Sequence, residues 1–267
     1  MSVLLHLSDP HFGTEQAPVM EALVALSHQQ QPDLLLLSGD ITQRALRSQF
    51  VSARAFTDRL GAPLLAIPGN HDIPLFNLNQ RMFHPYGRYR EAFGNALEPL
   101  QATPDLLVQC VNTTRWYRHK GGTVSSAQIE RVASRLRTAQ PAQLRVVVVH
   151  QPIAVLRVSE QHNLLHGHTQ ARQRWAEAGC DVVLGGHIHL PYVIGLPDLA
   201  RPMWTVQAGT AISSRVRAGA LNSVNVLRWG ADAAPGCCTI EQWDYAAVTQ
   251  TFVCVHTTDI HPARTTA

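Results

Sequence analysis

Residues 34–40 read Leu34-Leu35-Leu36-Leu37-Ser38-Gly39-Asp40. Four consecutive leucines leave no polar face for water, which predicts a short strand covered on both sides. Gly39 lets the backbone turn, and Asp40 stands at the carboxyl end of that strand. The same phrase recurs on either side. Residues 3–8 run into Asp9-Pro10-His11, and residues 64–67 run into Gly69-Asn70-His71-Asp72. Between them, residues 18–30 carry Val19, Leu23 and Leu26 at helical spacing with Pro18 near the start, and residues 44–60 predict a second helix closed by Gly61 and Pro63. The order β-α-β-α-β predicts a largely parallel sheet.

Residues 72–101 are less regular and predict an excursion that walls a pocket, with 81–93 helical. Strands follow at 106–111 and 144–149, separated by an amphipathic helix over 125–138 that opens Ser125-Ser126-Ala127-Gln128. His150 ends the second of these strands. A helix over 169–178 and a strand over 181–184 lead to Gly186-His187-Ile188-His189. Beyond it, strands at 203–207, 223–229, 239–245 and 252–256 have no helix between them and predict a second, mostly antiparallel sheet. The expected organisation is one domain over 1–260 and a flexible tail over 261–267, with 262–267 frayed.

Composition narrows the function. Hydrophobic residues are 45% of the 267 and charged residues 15%, enough for a large core and against disorder. A formal charge of +3 without a Lys/Arg cluster argues against a stable nucleic-acid complex. The cysteines (Cys110, Cys180, Cys237, Cys238 and Cys254) are odd in number and lack zinc-finger spacing, so buried free thiols and a reducing cytoplasm are expected. Only one strand precedes Asp9, so no signal peptide is expected. No apolar run approaches the roughly 20 residues of a membrane span.

Asp9 and His11 are two apart at a strand end, so both side chains lie on one side and reach one ion. A carboxylate at Asp40 is suited to bridge two ions, Asn70 offers a neutral oxygen, and His150, His187 and His189 offer imidazole nitrogens. This mixed N/O set suits transition metals better than Ca²⁺. Two such ions clamp the oxygens of an in-line displacement at phosphorus. His71, beside Asn70 and next to Asp72, reads as a histidine that protonates a leaving alkoxide, held by a carboxylate.

In this order, the five motifs closely resemble those of the calcineurin-like metallophosphoesterases over nearly the whole length. The resemblance implies an α/β fold, a four-layer α/β/β/α sandwich of two mixed β-sheets flanked by helices. It implies that Asp9, His11, Asp40 and His189 bind one metal, that Asp40, Asn70, His150 and His187 bind the other, that His71 is catalytic and that Asp72 supports it. The cofactors implied are two divalent metal ions, Mn²⁺, Fe²⁺/Fe³⁺ or Zn²⁺, with a metal-bridging hydroxide as attacking group. Ser8-Asp9-Pro10-His11-Phe12-Gly13, Gly39-Asp40-Ile41-Thr42-Gln43, residues 68–74 and Gln207-Ala208-Gly209-Thr210 are similar to the bacterial class III cyclic-nucleotide phosphodiesterases. A small-molecule phosphodiester, foremost a 3′,5′-cyclic nucleotide such as cAMP, is the implied substrate. The alternatives are 2′,3′-cyclic nucleotides or other phosphoesters, a nuclease, or a non-catalytic scaffold. A homodimer is compatible with the reading.

Other residues carry two readings each. Arg44 is a phosphate contact or a solvated helix start, and Arg215, Arg217 and Asn222 line a nucleotide pocket or form a surface turn. His162, His166 and His168 are an exposed loop or a third set of ligands. Arg88-Tyr89-Arg90 stacks on a base or is a helix face, while His256 and His261 read as structural or tail residues.

Overall fold

The computed structural model describes residues 1–230 and 236–264. In chain order the elements are β1 (Ser2–Leu7), α1 (Ala17–Gln30), β2 (Leu34–Leu37), α2 (Arg47–Arg59), β3 (Leu64–Ala66), α3 (Leu78–Phe83), α4 (Gly87–Phe93), β4 (Leu100–Ala102), β5 (Leu106–Cys110), α5 (Ser126–Leu136), β6 (Leu144–Val148), α6 (His168–Glu177), β7 (Val182–Gly185), β8 (Tyr192–Gly195), β9 (Trp204–Gln207), β10 (Ser223–Trp229), β11 (Cys238–Ala246) and β12 (Thr251–Ile260). One sheet has the order β12-β11-β10-β1-β2-β3 and the other β4-β5-β6-β7-β9-β8. Both are mixed: β1, β2 and β3 are parallel, as are β5, β6, β7 and β9, while β4, β8 and β10–β12 pair antiparallel.

The period of two along each strand builds the layers. Leu34 and Leu36 face Val146, Val148 and Leu184 in a core between the sheets. Leu35 and Leu37 point outward beneath α1 and α2, where Leu23, Phe50 and Phe56 cover them. Val147 and Val149 point the opposite way, under α5 and α6, against Ile129 and Trp175. The result is the expected α/β/β/α sandwich, in which the central strands of both sheets are apolar on both faces, while β12 at the edge is largely exposed. The Ser125–Gln128 capping box closes the start of α5: Gln128 N–H donates to Ser125 Oγ, and Ser125 N–H to Gln128 Oε1.

Two expectations need correction. The late strands do not form a sheet of their own: β9 pairs with β7 as a parallel strand, and β10–β12 extend the first sheet from the other side of β1. Pairing with β10 covers what would otherwise be an open edge of β1. The helix predicted over 81–93 is two, because Pro85 removes a donor and disfavours helical backbone at His84, whose φ/ψ are −139°/52°. Arg264 donates to Asp181 at 2.9 Å and lies 4.8 Å over the Trp229 ring, while residues 265–267 of the expected tail lie outside the described residues. No helix among the described residues is long and apolar enough to cross a membrane.

Candidate metal centre

The carboxyl ends of β1, β2, β3, β6 and β7 deliver Asp9 and His11, Asp40, Asn70, His150, and His187 and His189 to one edge of the sandwich. Their ligand atoms group as Asp9/His11/His189 and as Asp40/His150/His187, with Asp40 also grouping with His11 and His71. The approach is close. A Cβ at Gly69 would meet Asp40 Oδ1 at 2.2 Å, and one at Gly186 would meet Asp9 Oδ2 at 2.4 Å. Asp9, His11, Asp40, His187 and His189 all have positive φ, from 44° to 73°. Such backbone persists only where surrounding structure holds it, and it gathers at functional sites.

Hydrogen bonds orient the imidazoles. His150 Nδ1 lies 2.8 Å from the Ser38 carbonyl and His189 Nδ1 lies 2.7 Å from that of Arg215. A carbonyl only accepts, so each Nδ1 carries the proton and each Nε2 is left as a ligand in the neutral ring. His150 Nε2 then faces Asp40 Oδ1 and Asn70 Oδ1, both at 3.3 Å. His189 Nε2 faces His11 Nε2 at 3.0 Å and Asp9 Oδ1 at 3.2 Å. Asp40 stands between the groups, with Oδ1 toward His150 and Oδ2 3.9 Å from His11. Asp9 Oδ2 accepts from the His187 main-chain N–H at 2.9 Å, while Asp9 Oδ1 and His187 Nδ1 are buried without a hydrogen-bond partner.

Converging acceptors with buried, unpartnered atoms fit cations. Electrostatics point the same way. Burial opposes ionisation of Asp9 and Asp40, yet neighbouring imidazoles, His189 for Asp9 and His150 for Asp40, hold both well below the usual carboxylate range. Burial lowers His11 to about 3 and His187 to about 4, which keeps them neutral. For His150 burial acts downward but the Asp40 charge outweighs it and raises the ring to about 9. Without an ion, then, the cluster draws in protons to balance its carboxylates.

His71 and Asp72 separate. His71 Nδ1 lies 2.9 Å from the Gln43 carbonyl, and its Nε2 lies 3.3 Å from Arg215 Nη1. The Asp72 carboxylate does not hold His71, contrary to expectation. It accepts the main-chain N–H of Gly69, Ile41 and Thr42 and the Thr42 hydroxyl at 2.8–3.0 Å, and so ties the turn after β3 to the end of β2. Burial and the Asp40 charge raise Asp72 to about 6 despite those donors.

The other candidates divide. Arg215 enters the centre, donating to Gln43 Oε1 at 3.0 Å, 3.3 Å from His11 Nδ1. Arg217 and His162 line the cleft of about 510 Å³ above the cluster, where Arg217 pairs with Glu160. Asn222 is buried and braces the loop beneath, donating to the Ser213 carbonyl at 2.8 Å. His166 and His168 stand outside that lining. Arg44 is exposed and borders a second cavity beside His71. Tyr89 is not available to a base: it is buried, and its hydroxyl donates to the Ala66 carbonyl at 2.7 Å. The sequence reading missed Lys120, Glu160 and Asn163 in the cleft and His119 in the second cavity. His119 and Lys120 sit on an irregular loop and Glu160 and Asn163 in a short 3-10 turn (Val158–Asn163), where no spacing marks them. The five cysteines are free, and all but Cys254 are buried.

Comparison with known proteins bears on the fold and the family. A probable cyclic nucleotide phosphodiesterase of Synechococcus sp. is 39% identical over 62 residues, which are 23% of this chain and only 24% of that relative. A purple acid phosphatase from yellow lupin (Lupinus luteus) superposes with a TM-score of 0.72 at 11% identity, over 97% of this chain and 53% of that one. A dimetal phosphatase from Danio rerio does so with a TM-score of 0.69 at 10% identity, over 98% of this chain and 99% of that one. At such identities the two structures establish the fold alone. A model of the calcineurin-like phosphoesterases matches residues 2–191, well over half of the sequence, and the chain belongs to that family.

Proposed function

We propose that this protein is a dinuclear metal-dependent phosphodiesterase. The observation that carries the reading is the convergence of imidazole nitrogens, two of them oriented through Nδ1 by main-chain carbonyls, on the oxygens of Asp9, Asp40 and Asn70. In this reading Asp9, His11, Asp40 and His189 hold one ion, Asp40, Asn70, His150 and His187 hold the other, and Asp40 is shared. Bound there, divalent ions supply Lewis acidity and a water made acidic near neutral pH for in-line displacement at phosphorus. Arg215 binds the non-bridging phosphoryl oxygens, and Lys120, on the same cleft, adds a second positive charge. His71, its ring fixed by an Nδ1–H bond to the Gln43 carbonyl, presents Nε2 to the departing ester oxygen, and its imidazolium form delivers the proton there.

A diester is favoured over a monoester by the charge of the cleft. Glu160 pairs with Arg217 and so cancels one of the cations available to a dianion. The preferred substrate is a 3′,5′-cyclic nucleotide such as cAMP, supported by the partial likeness to the Synechococcus protein; 2′,3′-cyclic nucleotides or other diesters are the second reading. The test is metal-stripped protein reconstituted with Mn²⁺, Fe²⁺ or Zn²⁺ and assayed on bis(p-nitrophenyl) phosphate, p-nitrophenyl phosphate and both cyclic nucleotide types. Metal-dependent turnover of the diesters is expected. Turnover of the monoester alone would overturn the diesterase reading, and inactivity with every metal would leave a scaffold.

A further inference from the structure

Next to the ligand cleft, and sharing Asn70 and His71 with it, lies a second cavity of about 210 Å³. The catalytic reading above gives it no role. Its other walls are Gln43, Arg44, Ile73, Leu75, Phe76 and His119. Phe76 is 76% exposed and Leu75 40% exposed, so large apolar side chains stand in water at the edge of a polar site. The Arg44 guanidinium carbon lies 5.6 Å from the centre of the Phe76 ring. Phe76, Arg44 and His119 each present a flat π-surface, and no carboxylate lines the cavity.

Size narrows the occupant. An apolar cavity of about 150 Å³ takes one benzene ring. At about 210 Å³ this one has room for a single ring system. We propose that it is a subsite for one flat, uncharged aromatic group carried on the ester arm beside His71, a nucleobase or an aryl alcohol, stacked against Phe76 and Arg44. The proposal rests on the phosphoester reading of the site, and it names what that substrate carries.

Phosphonates separate the two ideas, because they share the charged head and differ only in the arm. Isothermal titration of the Mn²⁺-loaded protein with methyl-, cyclohexyl- and phenylphosphonate reads binding without turnover. Phenylphosphonate is expected to bind about tenfold more tightly than the other two, the gain from one stacked ring. Phe76→Ala is expected to shrink that preference to within about threefold, and Arg44→Gln to reduce it partly. Both side chains are exposed, so the fold is not at stake. Equal affinity for phenyl- and methylphosphonate, or a preference untouched in both variants, overturns the subsite and leaves the phosphoester reading standing. Cyclohexylphosphonate as tight as phenylphosphonate overturns the flat aromatic assignment. Failure of all three to bind overturns the subsite together with the reading beneath it.

Discussion

His71 and Asp72 are neighbours in the chain with opposite surroundings. His71 is half-buried, with Nε2 facing Arg215 across the cleft, while Asp72 is sealed in and saturated with main-chain donors. The two substitutions should therefore fail differently. His71→Ala should keep two ions per chain by elemental analysis and lose roughly 10²–10⁴-fold in kcat, the usual worth of a general acid. Asp72→Asn sets an amide NH₂ against N–H donors, and urea denaturation should show a loss of about 1–3 kcal/mol. Adjacent spelling made both residues read as one catalytic pair. Which donors a carboxylate meets is not written in its neighbours, because the donors at Ile41 and Thr42 come from another strand end.

At the scale of elements, the site is a set of strand ends pressed together. The turn after β3 lies so close to the end of β2 that a side chain at Gly69 has no room, since its Cβ would fall 2.0 Å from the Asp40 main-chain nitrogen. Gly69→Ala should destabilise by about 1–3 kcal/mol through overpacking. By displacing the shared Asp40, it should also lower metal content from two ions towards one, read by elemental analysis. The strands that end in the candidate ligands were legible because each is a mainly apolar run, fully buried in β1, β2 and β7 and half-buried in β3, ended by a polar motif. The pairing of β9 to β12 was not. Apolar alternation reports that a strand is half-buried or buried, yet it is silent on which neighbour supplies the hydrogen bonds. Loops and short turns were less legible still: Lys120 and His119 from a loop, and Glu160 from a 3-10 turn, reach the cavities from segments too short for a periodicity.

At the scale of the molecule, the buried charges couple metal, proton and fold. In metal-free protein, burial lowers His6 to about 3, His11 to about 3 and His187 to about 4, so their contribution to stability is complete above 6.5 and lost as pH falls towards 3–4. His150 has the opposite sign. Burial lowers it, but Asp40 prevails and raises it to about 9, so its contribution is complete below 6.5 and lost as pH rises through 9. Stability of the stripped protein should thus peak near pH 6.5, falling by about 1.4 kcal/mol per pH unit for each titrating group. Denaturation midpoints across pH test this. Saturating Mn²⁺ should raise the midpoint, by about 2.7 kcal/mol per site at a hundred times Kd, and flatten the alkaline limb, because an ion replaces the proton on His150. The sequence alone determined the α/β class and the donor-type side chains set at its strand ends, since strand burial and donor chemistry are local properties read from residue order. Only the tertiary structure decided which donors each carboxylate meets, where the late strands pair, and that Phe76, Arg44 and His119 border one cavity beside His71. Those depend on contacts between segments far apart in the chain, set by packing of the whole sandwich.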